Sequence, residues 1–299
     1  MPKENNLNKL RKKRVLITGG KGFLGQSLIP QLRKLCKKVY LYNDDIRDIS
    51  NFKKKSDIVF HLAGFNKIDS KHKTNSLFDV NVNGTMAVMH YCYRVGASCI
   101  FASSSAVYKP TLGKIRLSES SDTNPVTLYG ISKILAEKVC RHYSQSFKVP
   151  VISIRIFNMY GPGQRLSFIT PYIFQKLKST NSILLKSPQA VRDFVYISDV
   201  VRAFILSCKI DFNNFLPLNI GTGVGLSINN FVKLFASRLK VKKYQINKVN
   251  HESPKKDYVV ADIKKAKEVL GWKPQITIEK GLDSIIASGQ LNKYNFGIR

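Results

Sequence analysis

The apolar run Val15-Leu16-Ile17 leads straight into Thr18-Gly19-Gly20-Lys21-Gly22-Phe23-Leu24-Gly25, and this junction restricts the possible folds more than any other stretch. It predicts a strand, a glycine-rich turn and a helix beginning behind the turn. Gly19, Gly22 and Gly25 are spaced by three. The first permits the turn, the second lets the backbone approach a pyrophosphate, and the third lets the helix pack on the strand. The opening amides of such a helix attract anions, so the segment is a candidate phosphate cradle. Glycines also punctuate ordinary turns, and the motif decides little by itself.

The pattern that follows alternates. It predicts strand 14–18, helix 22–35, strand 38–43, strand 57–62, helix 75–95, strand 98–103, helix 128–147 and strand 150–156. Strands alternating with helices imply an α/β, doubly wound parallel sheet, with a ligand crevice outside the carboxyl ends of the strands. A length of 299 residues, 43% of them hydrophobic, suffices for one such domain and a smaller companion. The expected division is a dinucleotide-binding domain over 1–157, with 196–222 returning to it, and a smaller α/β substrate lobe over 158–195 and 223–299. No internal repeat is evident. The apolar runs are strand-sized and the amino terminus lacks the apolar core of a secretory signal, which predicts a cytoplasmic protein. Cys36, Cys92, Cys99, Cys140 and Cys208 have no metal-binding spacing and read as small buried hydrophobes in a reducing compartment. No metal site is expected.

A second motif raises the weight of the first. Tyr129-Gly130-Ile131-Ser132-Lys133 opens the predicted helix 128–147, which puts Tyr129 and Lys133 on one face at i and i+4. A free phenol, with a pKa of about 10, is a poor base near neutrality. One cation at about 4 Å and an effective dielectric near 20 favours the phenolate by about 4 kcal/mol, or roughly three pKa units, so Lys133 is expected nearly to suffice as activator. Upstream, the apolar strand Cys99-Ile100-Phe101-Ala102 runs into Ser103-Ser104-Ser105. Ser104, at the carboxyl end of that strand, is the candidate hydroxyl that holds a substrate oxygen and relays a proton to or from Tyr129. His61, in a strand-like run, reads as a structural neighbour of the cofactor site.

Together these residues resemble the extended short-chain dehydrogenase/reductase family, in its nucleotide-sugar epimerase and dehydratase group. The resemblance covers nearly the whole chain. Further stretches that carry it are Asp57-Ile58-Val59-Phe60-His61-Leu62-Ala63-Gly64, Asn81-Val82-Asn83-Gly84-Thr85, Arg155 to Gln164, Arg192 to Asp199, Asn219 to Gly223, and Leu270-Gly271-Trp272-Lys273-Pro274. It implies a Rossmann-type fold and an NAD cofactor held by Gly19, Gly22, Phe23, Leu24, Gly25, Leu62, Ala63, Gly64, Tyr129 and Lys133. One position departs from the family. The second strand ends at Asn43, where NAD-binding members usually place an acid, and Asp44 follows it. Either Asp44 reads the ribose after a register shift or the 2′ position stays open to a phosphate, so NAD is expected, with NADP as the alternative. Asp45-Ile46 resembles the adenine-contacting turn, and it arrives so early that a helix is missing before it.

For the substrate, the resemblance implies that Asn158 and Arg192 bind a nucleotide-sugar diphosphate together with Ser104. Arginine suits a diphosphate because its planar fork makes bidentate bonds, although an arginine next to Asp193 can instead pair with it. Lys255 and Lys256 stand where relatives carry another arginine. Dehydratases of the family place an Asp-Glu pair after the position of Ser104. Here Ser105-Ala106 stands there, and neither side chain is a carboxylic acid or base. The implied reaction is epimerisation at C4 through a transient 4-keto sugar. A keto-sugar reductase or a dehydratase of the same family is the alternative, and a basic binding protein on a retained dinucleotide fold is the non-enzymatic one. Relatives often dimerise through two helices each, here 75–95 and 128–147.

The charge is large: 49 Lys and Arg against 19 Asp and Glu give +30. The lysine runs lack the interleaved aromatics of a single-strand nucleic-acid surface, and they read as solvated faces ahead of docking on nucleic acid or an anionic membrane.

Overall fold

The computed structural model describes residues 10–66, 74–210, 212–249 and 257–289. The chain begins with β1 (Arg14–Thr18), α1 (Phe23–Leu35), β2 (Lys38–Tyr42), a 3-10 turn (Ile46–Asn51) and β3 (Ile58–His61). Next come α2 (Thr74–Phe78), a π turn (Asp79–Asn83), α3 (Gly84–Val95), β4 (Ser98–Ser104), α4 (Leu128–Phe147), β5 (Val151–Ile156) and β6 (Asn158–Tyr160). After these run α5 (Ile169–Ser179), β7 (Ser182–Leu185), β8 (Val191–Tyr196), α6 (Ile197–Ser207) and β9 (Phe215–Ile220). The last elements are β10 (Gly225–Ser227), α7 (Ile228–Arg238), β11 (Gln245–Lys248), β12 (Tyr258–Val259), α8 (Lys264–Leu270) and α9 (Ile278–Ser288).

Six strands pair in the order β2-β1-β3-β4-β5-β9, all parallel. Their side chains alternate between two cores, as the two-residue period of a strand requires. Val15, Ile17, Ile58, Phe60 and Ile100 face α1 and α6, whereas Leu16, Val59, Cys99 and Phe101 face α3 and α4. Such strands must be apolar on both faces, which is why they read in sequence as short unbroken runs. Each large aliphatic or aromatic side chain fully buried this way contributes about 1.5–3 kcal/mol, so exchanging one for a polar residue in β1 or β3 loosens the layer it faces.

The chain crosses from β2 to β3 without a full helix. Ile46 and Ile49 of the 3-10 turn are buried, and Phe52 packs against the rings of Tyr40, Tyr42 and Tyr91 at centroid distances of 6.1, 5.8 and 6.0 Å. This aromatic cluster covers the sheet where a helix would otherwise lie. β2 and β3 flank β1 on opposite sides, so the order reverses at β1 and a crevice opens at the carboxyl ends there.

A smaller sheet joins β8 to β10, β12 and β6, and β7 pairs with β11. Its core includes Phe194 stacked on Phe231 at 4.1 Å. Two buried acids tie distant chain to this region through backbone amides. Asp193 accepts from the amides of Thr222 (2.7 Å), Gly223 (2.9 Å) and Ala261 (3.2 Å). The Asp199 carboxylate accepts from the amides of Gln275 and Ile276, both at 3.0 Å, while its carbonyl accepts from Trp272 Nε1 at 2.8 Å. Ala261, Ile263, Ala266, Leu270 and Trp272 thereby pack into the α1/α6 core of the large sheet. Among the described residues no helix is long and apolar enough to cross a membrane, and no cluster of His, Cys, Asp and Glu could hold a metal. Cys92, Cys99 and Cys140 are buried, and Cys36 and Cys208 are partly so.

Candidate active site

The glycine turn closes tightly against the next strand. Gly19 has φ +69°, and a Cβ there would lie 2.5 Å from the Ala63 amide nitrogen. Gly22 donates its amide to Gly19 O at 3.0 Å. A Cβ on Gly25 would come within 2.7 Å of the same carbonyl, so only glycine lets α1 press on the turn. Helix α1 starts at Phe23 with Gly22 in the cap position and no capping side chain, which leaves its first amides for an anion. Leu24 and Gly25 are buried, and the Phe23 ring points toward Gly161. Across the turn the amides of Leu62 and Ala63 donate to Thr18 O (3.2 Å) and Thr18 Oγ1 (3.3 Å), and Gly64 follows. These residues make a cradle that a dinucleotide pyrophosphate fits.

The second half of the expected cofactor set is placed less uniformly. β2 ends at Tyr42, one residue before the predicted boundary, and Asn43 and Asp44 stand exposed at its carboxyl end. Asp45 caps the 3-10 turn through the Arg47 amide (3.0 Å) and grips the Arg47 guanidinium at 2.9 and 2.5 Å. Those bonds hold its carboxyl down at about 2. Its side chain is thus engaged, and Ile46 is buried against Gly84, which leaves mainly backbone for an adenine.

Beneath the cradle lies a directional relay of hydrogen bonds. Thr85 Oγ1 donates to Asn81 O (2.6 Å) and so accepts from His61 Nε2 (2.9 Å). His61 Nδ1 then accepts from Thr18 Oγ1 at 2.8 Å, and Thr18 accepts from the Ala63 amide. His61 is wholly enclosed, and burial followed by the Lys133 charge pushes it down to about 3. Between that value and the unfolded value near 6.5, the unfolded chain binds a proton that the folded one refuses. The stability held here is therefore intact above pH ~6.5 and falls by about 1.4 kcal/mol per pH unit below it. Denaturant titrations at pH 7 and pH 5 should differ by about 2 kcal/mol more in the native protein than in a His61→Gln variant. Equal differences would show that His61 accepts a proton in place.

Ser104 closes β4, its Oγ accepting from the Ala106 amide at 3.1 Å. Tyr129 stands in the first turn of α4, where Thr127 caps the helix by accepting from Gly130 N at 3.0 Å. A Cβ on Gly130 would fall 2.2 Å from Ala106 O, so this glycine lets the helix start touch the Ser105–Val107 turn. That contact sets Tyr129 near Ser104, whose side chain favours the phenolate. One helical turn on, Lys133 is 5% exposed; its Nζ donates to Ala102 O at 2.9 Å and sits 4.8 Å from the Phe101 ring centroid.

The charges differ from the sequence expectation. Burial pushes Tyr129 up, and the bond from Ser104 is what opposes it; Lys133 does not enter. Lys133 is itself pushed down to about 8 by burial. Helical spacing puts the ammonium one turn away, where its carbonyl and ring partners hold it. Asn81 had no assigned role, yet it organises this corner. It is buried, accepts from Phe65 N and donates to Phe65 O, both at 2.8 Å, and donates to Ser132 Oγ at 2.8 Å. A Cβ on Gly64 would meet Asn81 Oδ1 at 3.0 Å and Lys133 Nζ at 3.2 Å, so the loop after β3 and helix α4 meet there.

Asn158, half-buried, opens β6 and registers with Phe194 of β8. Arg192 on β8 pairs with Asp257 at 2.6 Å and donates to Val191 O at 2.9 Å. The neighbouring Asp193 is not its partner, because that side chain points to the other face and holds Thr222 and Gly223. Lys255 and Lys256 lie outside the described residues.

A bare helix start above a glycine turn, beside a serine, tyrosine and lysine at the carboxyl ends of a parallel sheet, defines a dinucleotide-binding protein of the Rossmann type. The pattern of the NAD dependent epimerase/dehydratase family matches residues 15–221, and the chain belongs to that family. It is 26% identical to the dTDP-4-dehydro-6-deoxyglucose reductase of Escherichia coli, over 93% of this chain and 98% of the relative. A UDP-glucose epimerase of Bacillus subtilis, described as uncharacterised, is also 26% identical, over 92% and 97%. The structure of MoeE5 with UDP-glucuronic acid and NAD superposes with a TM-score of 0.81 at 26% identity, over 92% of this chain and 98% of that one.

Proposed function

We propose that this enzyme is an NAD-dependent nucleotide-sugar epimerase that acts at C4 through a transient 4-keto sugar. The observation that carries the proposal is the turn after Ser104, where Ser105 and Ala106 leave no carboxylate beside the candidate hydroxyls. Of the acids nearest in sequence, Asp122 is exposed and two others are engaged elsewhere. Glu137 is locked to Arg155 at 2.7 Å, and Glu119 accepts from the Asn219 amide at 2.7 Å. Elimination of water needs such a group, whereas epimerisation needs only a proton acceptor at the 4-oxygen.

Bound NAD supplies a reversible hydride acceptor. Ser104 holds the 4-hydroxyl and Tyr129 takes its proton as the hydride leaves C4. Once the keto sugar has turned over, Tyr129 returns the proton to the same oxygen on re-reduction. Lys133 and the Asn81-held loop fix the geometry of the cofactor side. Asn158, and Arg192 once its fork is shared between Asp257 and substrate, grip the nucleotide diphosphate. A firm hold on the nucleotide with few contacts to the hexose leaves the ring free to rotate between the two hydride transfers.

The reductase relative favours a second reading, net reduction of a keto sugar by the same three side chains. Purified protein incubated with UDP-, dTDP- and GDP-hexoses separates the two. An epimerase interconverts 4-epimers with no net change in nicotinamide absorbance, whereas one-for-one loss of reduced cofactor on a keto sugar would replace this proposal with the reductase. The same reading includes a homodimer through α3 and α4, which leave Met86, Tyr93, Leu128, Ile131 and Leu135 exposed. Sedimentation as a monomer at micromolar concentration would remove it.

A further inference from the structure

The fold sorts the charges that composition leaves scattered. The segments leading into the strands of the large sheet meet at the end opposite the crevice, and they are basic. The amides of Lys37 and Lys38 both donate to Lys13 O, at 2.9 and 3.4 Å, and the Asp57 amide donates to Arg14 O at 2.8 Å. Lys12, Lys13, Lys37, Lys38 and Lys54 are all exposed on this rim. Asp57 is the one acid among the described residues of these segments, and Arg14 neutralises it through bonds of 2.9 and 3.2 Å. The opposite end of β2 is followed instead by Asp44, Asp45 and Asp48.

A cavity of about 620 Å³ opens on the basic rim. Lys12, Lys13, Lys209 and the Arg14-paired Asp57 line it together with the apolar Leu10 and Phe212. Cations beside an apolar wall suit an anion that carries an apolar body. Among the described residues, Phe212 packs on the α1/α6 core and Tyr40 lies under Lys54 Nζ at 5.3 Å and against Phe52, so these rings are engaged within the fold and not arrayed for stacking on bases.

We propose that this end of the sheet docks on an anionic phospholipid surface, with the lysines on the headgroup phosphates and the cavity receiving the glycerol end of one lipid. Docking there leaves the crevice at the carboxyl ends open to soluble substrate. The inference rests on placement of charge and cavity and is independent of the reaction assigned above.

Co-sedimentation of the full chain with vesicles of phosphatidylcholine alone, or mixed with phosphatidylglycerol, tests it. Binding is expected only to the mixed vesicles at about 0.1 M salt, with loss at about 0.5 M as screening shortens the reach of the lysines. A Lys12→Glu/Lys37→Glu/Lys54→Glu variant should partition about 100-fold more weakly. A Lys242→Glu/Lys243→Glu/Lys248→Glu variant of the smaller lobe, equal in net charge, should stay within about threefold of the native protein. Equal losses in the two variants would assign the effect to net charge and overturn the proposal. So would no binding to the mixed vesicles, or rim-dependent binding to duplex DNA with vesicle binding unchanged. Hydrogen exchange on the unmodified protein gives a readout free of folding defects: vesicles should protect residues 11–14, 37–38 and 53–57, and protection confined elsewhere would refute the surface.

Discussion

Phenylalanine in place of Tyr129 is expected to cut turnover by about a thousandfold while bound cofactor is retained. The substitution removes one hydroxyl and keeps the ring beside Ser104, so the glycine turn and the Gly130 contact are undisturbed. The loss should fall on kcat with KM little changed, as for a group whose interaction matters in the transition state. Because burial holds the phenol up in the unliganded protein, Tyr129 stays protonated there, and a positively charged nicotinamide ring nearby would draw it down. Oxidised cofactor would then ready the base, and reduced cofactor would not. Steady-state rates with the interconverting hexose pair, and nicotinamide absorbance of the purified variant, check the expectation; a rate within tenfold of native would remove Tyr129 from the chemistry.

Glu137→Ala should destabilise the fold by about 3–5 kcal/mol, because it strands a buried cation. Arg155 and Glu137 are each about 3% exposed and bonded twice, at 3.0 and 2.7 Å. Ser153 adds a bond to the carboxylate at 2.8 Å, and Arg155 reaches Tyr108 Oη at 2.9 Å, which itself donates to Asn219 Oδ1 at 2.6 Å. The network links α4, β5 and β9 to the segment after β4, so its failure loosens the ground on which Tyr129 stands. The thermal midpoint should fall by about 10 °C. Replacing both partners with apolar residues of like size, Glu137→Leu with Arg155→Met, should recover most of the loss. A single variant within about 1 kcal/mol of native would mean that water reaches the guanidinium and that the pair is not sealed.

Local spacing made much of this site legible in sequence. Glycines spaced by three, a tyrosine and lysine one helical turn apart, and serines ending an apolar strand are each short-range patterns, and the fold sets them at one end of one sheet. Helix 128–147 has the bounds expected of it. The expected helix 75–95 instead carries a π turn over Asp79–Asn83, a shift that apolar periodicity does not reveal. What spacing could not supply were the partners. Arg192 finds Asp257 sixty-five residues away, Asn81 finds Phe65 and Ser132, and the bare Gly130 matters only because Ala106 O lies against it. For Tyr129, helix periodicity gives neighbours on a face, but desolvation depends on everything packed above that face, and in the unliganded protein it pushes the phenol up.

The way Asp199 fastens the carboxyl-terminal segment has an evolutionary corollary. Its oxygens recognise peptide N–H groups at 275 and 276, and any residue except proline presents the same donor. Mutation can therefore change those two side chains without removing the donors that Asp199 reads, so this part of the closure constrains the aspartate more than its partners.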